Sequence, residues 1–379
     1  MSQNIIIYAN KVSRRSETFI YNPALIMQRY YPYFVGSRRG DGLPLPQERV
    51  FIVNGKGRYG RYRQRLMYTL LGHAGISLIA NRLKPLQPQL IQSHFGFDAV
   101  DSLPLAKRLG IPLIVYYHGF DATFTSDYAK TNTHLTRYLQ QLPNIIEEVT
   151  LVLTASDFLR QRVLDLGYSP EKVRTHYIGI DPVTEPPLPL EKREKRVVFV
   201  ARLVDKKGTG YLIDAMQLVQ QEYPELELII VGDGINREAL ESQAESLPNC
   251  RFVGWQSPEQ VDQWMKTSLI FSVPSVEAQN GDSEGFGMVF IEAQRVGTPV
   301  VSTRHGGIVE SVLDGETGLL VPERNAVALA QAIIRLYTDH DLWRTFSQAG
   351  YDRVQREFGL QTLTAKLETI YDEVLSDSR

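Results

Sequence analysis

The sequence predicts an α/β protein of two doubly wound, Rossmann-like domains with a ligand cleft between them. Three observations lead there. Short β-branched runs alternate with amphipathic stretches of helical length along the chain, the pattern of parallel sheets covered on both faces. The length of 379 residues exceeds what one core usually fills. The rhythm breaks once, at 181–196 (DPVTEPPLPLEKREKR), where four prolines and clustered charges suit neither a helix interior nor a central strand.

Taken in order, the expected strands of the first half are 4–9, 33–36, 49–53, 89–93, 112–117, 150–155 and 173–177. Helices are expected between them, for example over 98–109 and 157–167. The first domain is assigned to 1–185, the linker to 186–196 and the second domain to 197–360. In the second domain the expected strands are 197–201, 227–231, 250–253, 269–273 and 299–302. The apolar spacing of 361–375 is helical, so 361–379 is expected as a C-terminal helix able to pack back on the first domain.

Composition narrows the function classes. Hydrophobic residues at 43% and charged residues at 22% describe an ordinary soluble chain. The single cysteine, Cys250, excludes an internal disulfide framework and a thiolate metal cluster, and fits a reducing compartment. The start of the chain lacks a basic segment followed by an apolar run, and the longest uncharged apolar stretch, 66–80, is too short to span a bilayer. A cytoplasmic protein is expected. Residues 1–185 carry 22 Lys and Arg against 14 Asp and Glu, a balance of +8, whereas 186–379 balance at −10. A basic half suggests an anionic partner such as a lipid phosphate, an anionic membrane or an acidic substrate. Within it, 56–65 (KGRYGRYRQR) suits interfacial contact with anionic lipid or with a polyprenyl-diphosphate-linked acceptor. Its alternating Arg and Tyr could bind RNA, but nothing else resembles an RNA-binding module, and no nucleic-acid partner is expected.

The strongest motif is 283–292, SEGFGMVFIE, with Glu284 and Glu292 eight positions apart. Its glycines let backbone approach a ligand, and a helix starting near Gly287 would aim free N–H groups and its dipole at an anion. Carboxylates there suit the hydroxyls of a sugar or a ribose. The segment 201–208, ARLVDKKG, follows a strand and opens a helix: Arg202 offers a planar fork for phosphate oxygens, and Lys206 or Lys207 a point charge. The turn VGDG at 231–234 ends a further strand.

Together, ARLVDKKG, VGDG, FVGW at 252–255, EGFG followed by EA, Gly306-Gly307 with Glu310, and DGETGLLV at 314–321 resemble family 4 of the retaining glycosyltransferases, with the GT-B fold. The likeness is dense over 197–324 and thinner before, through SHFG at 93–96, HGFD at 118–121 and SETF at 16–19. The SETF turn, standing where a double glycine is frequent, is similar to the exopolysaccharide and lipopolysaccharide branch. The resemblance implies Glu284 at the donor sugar, Glu292 on ribose hydroxyls, and Arg202 with Lys207 on the diphosphate. It implies donor contact through backbone at Gly285, Phe286, Gly287, Met288 and Val289, with His118 facing the sugar. Ser16, Glu17, Thr18, His94 and Asp121 form the expected acceptor side, and His118 and Asp121 are the candidate bases. No cofactor and no metal are expected, because the cation pair and the helix dipole would neutralise the leaving group.

The resulting expectation is transfer of a sugar from a UDP- or GDP-sugar to a lipid-linked surface-glycan acceptor. Two other readings stay open: a nucleotide-sugar epimerase or hydrolase on the same fold, and a non-catalytic binding subunit. No carboxylate nucleophile of the retaining-glycosidase kind is identifiable.

Overall fold

The β-branched runs become parallel strands buried on both faces, as IIIY at 5–8 and VVF at 197–199 illustrate with almost no exposed surface. The computed structural model describes residues 3–53 and 60–377, and these fall into two units, one within Met1–Gly179 and Leu360–Arg379 and the other Ile180–Gly359.

The first unit holds a seven-stranded parallel sheet. From edge to edge it runs Val50–Ile52, Tyr30–Gly36, Gln3–Tyr8, Ile91–His94, Leu113–Tyr117, Leu151–Thr154 and Val173–Thr175. The direction of winding reverses between Gln3–Tyr8 and Ile91–His94, which pair directly. A separate short pair, Lys11–Val12 with Arg38–Arg39, was not anticipated. The C-terminal helix Leu360–Asp377 belongs to this unit: the Glu368 carboxylate accepts the N–H groups of Gln28 and Arg29 at 2.9 and 2.7 Å, and the buried Tyr371 ring meets Tyr30 edge-on.

The second unit repeats the winding with six parallel strands: Cys250–Gly254, Glu227–Val231, Glu194–Val200, Ser268–Phe271, Val300–Thr303 and Gly318–Val321. Its reversal lies between Glu194–Val200 and Ser268–Phe271. The strand Gly318–Val321, within the DGETGLLV motif, is buried along its length and forms the sheet edge beside Val300–Thr303.

The connection differs from the linker expected at 186–196. The division between units falls after Gly179, and Glu194 already begins the central strand of the second sheet. Arg193 is buried there. Its guanidinium donates to the carbonyls of Leu188, Ser268, Val296 and Gly297 and to Thr298 Oγ1, at 2.7–3.0 Å. Five partners satisfy the head group, so an arginine within a cluster of charges becomes a core anchor.

Candidate active site

In a doubly wound sheet, ligands meet the carboxyl ends of the strands where the winding reverses. In the second unit the chain leaving Glu194–Val200 carries Arg202 and turns through the 3₁₀ segment Asp205–Lys207. Gly208 ends the turn at φ 64°, and a Cβ there would stand 1.9 Å from the Pro274 carbonyl oxygen. Only glycine lets this turn press against the segment leaving Ser268–Phe271. The Lys206 carbonyl there accepts the Val276 N–H at 2.8 Å.

Two adjacent lysines are thereby aimed at the acidic loop. Lys206 Nζ lies 2.8 Å from Asp282 Oδ1, and Lys207 Nζ is bonded to the Glu284 carboxylate. Burial by itself would raise the Glu284 carboxyl, but Lys207 and Lys206 more than offset it and hold its pKa at about 2. Burial pushes the Lys207 ammonium down, and Glu284 opposes that shift. Arg202, an electrostatic neighbour of Lys207, is exposed, and its guanidinium makes no hydrogen bond or ion pair among the described residues. The VGDG turn supports it from below, with the Leu203 N–H donating to the Asp233 carbonyl at 2.9 Å.

The loop then enters the helix Met288–Arg295 through Gly287, which is left-handed, and no side chain caps that end. The leading N–H groups therefore lack the usual side-chain acceptor. Phe286 is buried against Phe358, so only its backbone is available to a ligand. Glu292 is half-buried, and its carboxylate has no hydrogen-bond partner among the described residues. Burial raises its pKa, Arg295 opposing and Asp262 adding to the shift. The two glutamates of the motif thus have different charged neighbours.

Sequence reasoning missed two residues behind Glu284. Its N–H donates to His305 Nε2 at 3.2 Å, and its carbonyl accepts the Gly307 N–H at 2.9 Å. His305 Nδ1 is 2.7 Å from Glu323 Oε1. The available signal was the position of His305 directly before Gly306-Gly307; nothing marked Glu323.

The first unit gathers different chemistry. His118 follows the strand Leu113–Tyr117 and is enclosed by the rings of Phe19, His94, Phe95 and Tyr116, with centroids 4.5–5.1 Å away. Phe19 belongs to the SETF turn, where Ser16 is exposed, Thr18 half-buried, and Glu17 buried in an ion pair with Arg14 at 2.9 Å. His94 Nδ1 lies 2.9 Å from His118 Nε2, and Gln92 closes the row on His94 Nε2 at 2.9 Å. Burial pushes the His94 pKa down to about 3 and His118 well below its ordinary value, so both rings are neutral.

Two expected acceptor-side residues are corrected. His94 is buried between Gln92 and His118, so it orients a neighbour instead of facing an acceptor. Asp121 is also buried, and both its oxygens are occupied: Gly96 N–H donates to one at 2.9 Å, His118 and Gly119 N–H to the other at 3.1 and 2.8 Å. It ties the loop that carries His118 and is not placed as a base. Of the basic stretch, 56–59 lie outside the described residues, and 60–65 begin the helix Gly60–Leu71. Among the described residues, no group of three or more His, Cys, Asp or Glu is placed to hold a metal ion, and no helix is long and apolar enough to cross a membrane.

Known proteins resemble the chain across both units. A family model described as glycosyl transferases group 1 matches residues 183–353, and one described as glycosyltransferase family 4 matches 24–183. The amylovoran biosynthesis glycosyltransferase AmsK of Erwinia amylovora is 29% identical over 291 residues, 74% of this chain and 67% of that protein. The putative colanic acid biosynthesis glycosyltransferase WcaL of Salmonella typhimurium is 27% identical over 82% of this chain and 78% of its own. Among solved structures, Anabaena HepE in complex with UDP and glucose superimposes with a TM-score of 0.75 at 19% identity, covering 97% of this chain and 99% of its own.

Proposed function

The chain belongs to glycosyltransferase family 4 and has the GT-B fold, and we propose that it moves a sugar, with retention of configuration, from a UDP- or GDP-sugar to a lipid-linked acceptor in surface-polysaccharide synthesis. The observation that carries this reading is the largely buried Lys207–Glu284 pair beside the exposed Arg202, whose guanidinium has no partner among the described residues, at the carboxyl ends of the second sheet. A nucleoside diphosphate there meets the fork of Arg202, the point charge of Lys207 and the uncapped start of Met288–Arg295. Glu284, kept ionised, accepts from sugar hydroxyls, and Glu292 accepts from the ribose.

Departure of the diphosphate develops negative charge on phosphate and oxocarbenium-like charge at the anomeric carbon. The cations answer the first; we assign leaving-group stabilisation to them instead of to a divalent metal ion. The carboxylate of Glu284 answers the second. In the first unit, burial holds His118 below its ordinary pKa, and its ring Nδ1 has no hydrogen-bond partner among the described residues. The polysaccharide assignment is supported by the names of AmsK and WcaL, and a uridine nucleotide by the UDP bound to HepE.

Acceptor-side membrane contact is assigned to the helix Gly60–Leu71, which would hold the protein peripherally at the inner face of the cytoplasmic membrane. Tyr62, Leu66 and Leu70 are exposed on it at a spacing of four, one apolar face, with Arg61, Arg63 and Arg65 in the same stretch. Replacing these three arginines and Arg58 with Gln should abolish salt-sensitive sedimentation with anionic vesicles.

Thermal-shift measurement with UDP, GDP, ADP and their sugars tests the donor reading, since a ligand that binds only the folded state raises its apparent stability. Stabilisation by UDP or GDP followed by transfer to a glycan-lipid is the expected result. Donor hydrolysis or epimerisation with no transfer would support the enzymatic alternative, and tight nucleotide binding without turnover would support a binding subunit.

A further inference from the structure

We propose that His305, oriented by Glu323, is a positioning residue that sets Glu284 for the reaction. The inference rests on the donor-site reading of Glu284. The direction of every bond in the row follows from elementary chemistry. A backbone N–H can only donate, so His305 Nε2, 3.2 Å from the Glu284 nitrogen, must present its lone pair. The ring proton then sits on Nδ1, which faces Glu323 Oε1 at 2.7 Å. Glu323 is anchored in turn, its Oε2 accepting the Glu277 N–H at 3.0 Å and Arg324 at 3.2 Å. His305 is only 4% exposed, which leaves little room for water to replace it.

A buried, satisfied histidine is often only a packing element. Here the peptide group it holds is that of Glu284 itself. Gly307, two residues further on, takes the carbonyl of the same residue, so the segment 305–307 grips Glu284 on both its donor and its acceptor. A Cβ at Gly307 would stand 2.0 Å from the Gly285 carbonyl oxygen, so the two segments run in direct contact. With the main chain held there, the Glu284 side chain reaches Lys207. Removing the imidazole acceptor frees that peptide to rotate, and a displacement of about 1 Å at a reacting centre costs on the order of a hundredfold in rate.

The first test is spectroscopic and independent of activity. In protein labelled with ¹⁵N-histidine, the His305 signals are identified among the seven histidines by their absence in His305→Gln. The expected result at pH 7 is the neutral Nδ1–H tautomer; an Nε2–H tautomer overturns the proposal. The second test is kinetic, with UDP-glucose and GDP-mannose as donor probes. Glutamine can accept from Glu284 and donate to Glu323, so His305→Gln should retain turnover within about fivefold. His305→Leu should lower kcat roughly a hundredfold with little change in donor KM. Glu323→Ala, milder for the fold, should lower kcat in the same sense.

In a Glu284→Ala background, His305→Leu should cost almost nothing more. Additive losses, or a leucine variant with unchanged kcat, overturn the positioning role alone. A Glu284→Ala protein with unchanged kcat and KM overturns the donor-site reading and the proposal together.

Discussion

Two sheets of matching winding build opposite kinds of site. In the first unit, His118 sits among Phe19, His94, Phe95 and Tyr116, and burial keeps its histidines uncharged. In the second, Lys206 and Lys207 face Asp282 and Glu284, and the charges survive burial because they are paired. The signs run against the bulk composition. The uncharged site lies in the half that balances at +8, and the cations lie in the half at −10. Net charge describes a domain's solvated surface; burial and pairing set the chemistry of its strand ends.

The largest expected effect breaks the charged site. Lys207→Ala leaves the Glu284 carboxylate buried without its main partner, both side chains being 12% exposed, and should cost about 3 kcal/mol of stability. The double variant with Glu284→Ala should recover much of that loss, because neither charge is then left alone. Urea denaturation of all four proteins checks the cycle. A single-variant cost under about 1 kcal/mol would place the pair among weak surface bridges.

Acid should separate the two units. Burial lowers the pKa values of His94 to about 3 and His176 to about 4, with His118 also well below 6.5. The unfolded chain takes up these protons first, so the first unit loses stability as pH falls below 6.5. Asp121, raised by burial to about 6, works the other way: it binds its proton on folding between about 6 and 3.8, softening the loss without matching three histidines. Glu284, lowered to about 2, stabilises fully above 4.5, and that contribution is lost only as pH falls towards 2. Hydrogen exchange, corrected for intrinsic rates, should show Leu113–Tyr117 losing protection at higher pH than Glu194–Val200. The reverse order would mean that the neutral-histidine account of the first unit is wrong.

A smaller effect sharpens the donor assignment. Arg202→Ala should weaken UDP or GDP binding roughly tenfold, about 1.4 kcal/mol, and leave the monophosphate nearly unchanged. Equal losses in calorimetry for mono- and diphosphate would remove Arg202 from the diphosphate. The smallest expected effect is none: turnover should survive excess EDTA, with Arg202, Lys207 and the start of Met288–Arg295 carrying the leaving group. Loss with EDTA that Mg²⁺ restores would give that role to a metal ion.

Much of the charged site of the second unit was legible because its pieces are contiguous. ARLVDKKG and SEGFGMVFIE carry their glycines, charges and helix start within ten residues, so spacing alone suggests an anion site. The row behind it was not legible: His305 and Glu323 are separated from Glu284 by 21 and 39 positions and belong to different strand ends. Asp121 misled for the reverse reason. HGFD reads as a reactive loop, yet its carboxylate is consumed by three backbone N–H groups that appear only once the loop is folded.

The sequence by itself determined the alternation of strands and helices, hence parallel sheets, because the period of apolar residues is a local property. It also determined the break in that rhythm and the residue types gathered at the acidic loop 282–292. Tertiary structure decided which charges meet. Lys207 takes Glu284 while its neighbour Lys206 takes Asp282. Arg193, written within a run of charges, is buried against five acceptors from three separate segments. A hydrogen bond or ion pair is made or lost over about an ångström. Hydrophobic periodicity fixes which face a side chain takes, but not the register and approach of segments 70 or more residues apart, and those choose its partner.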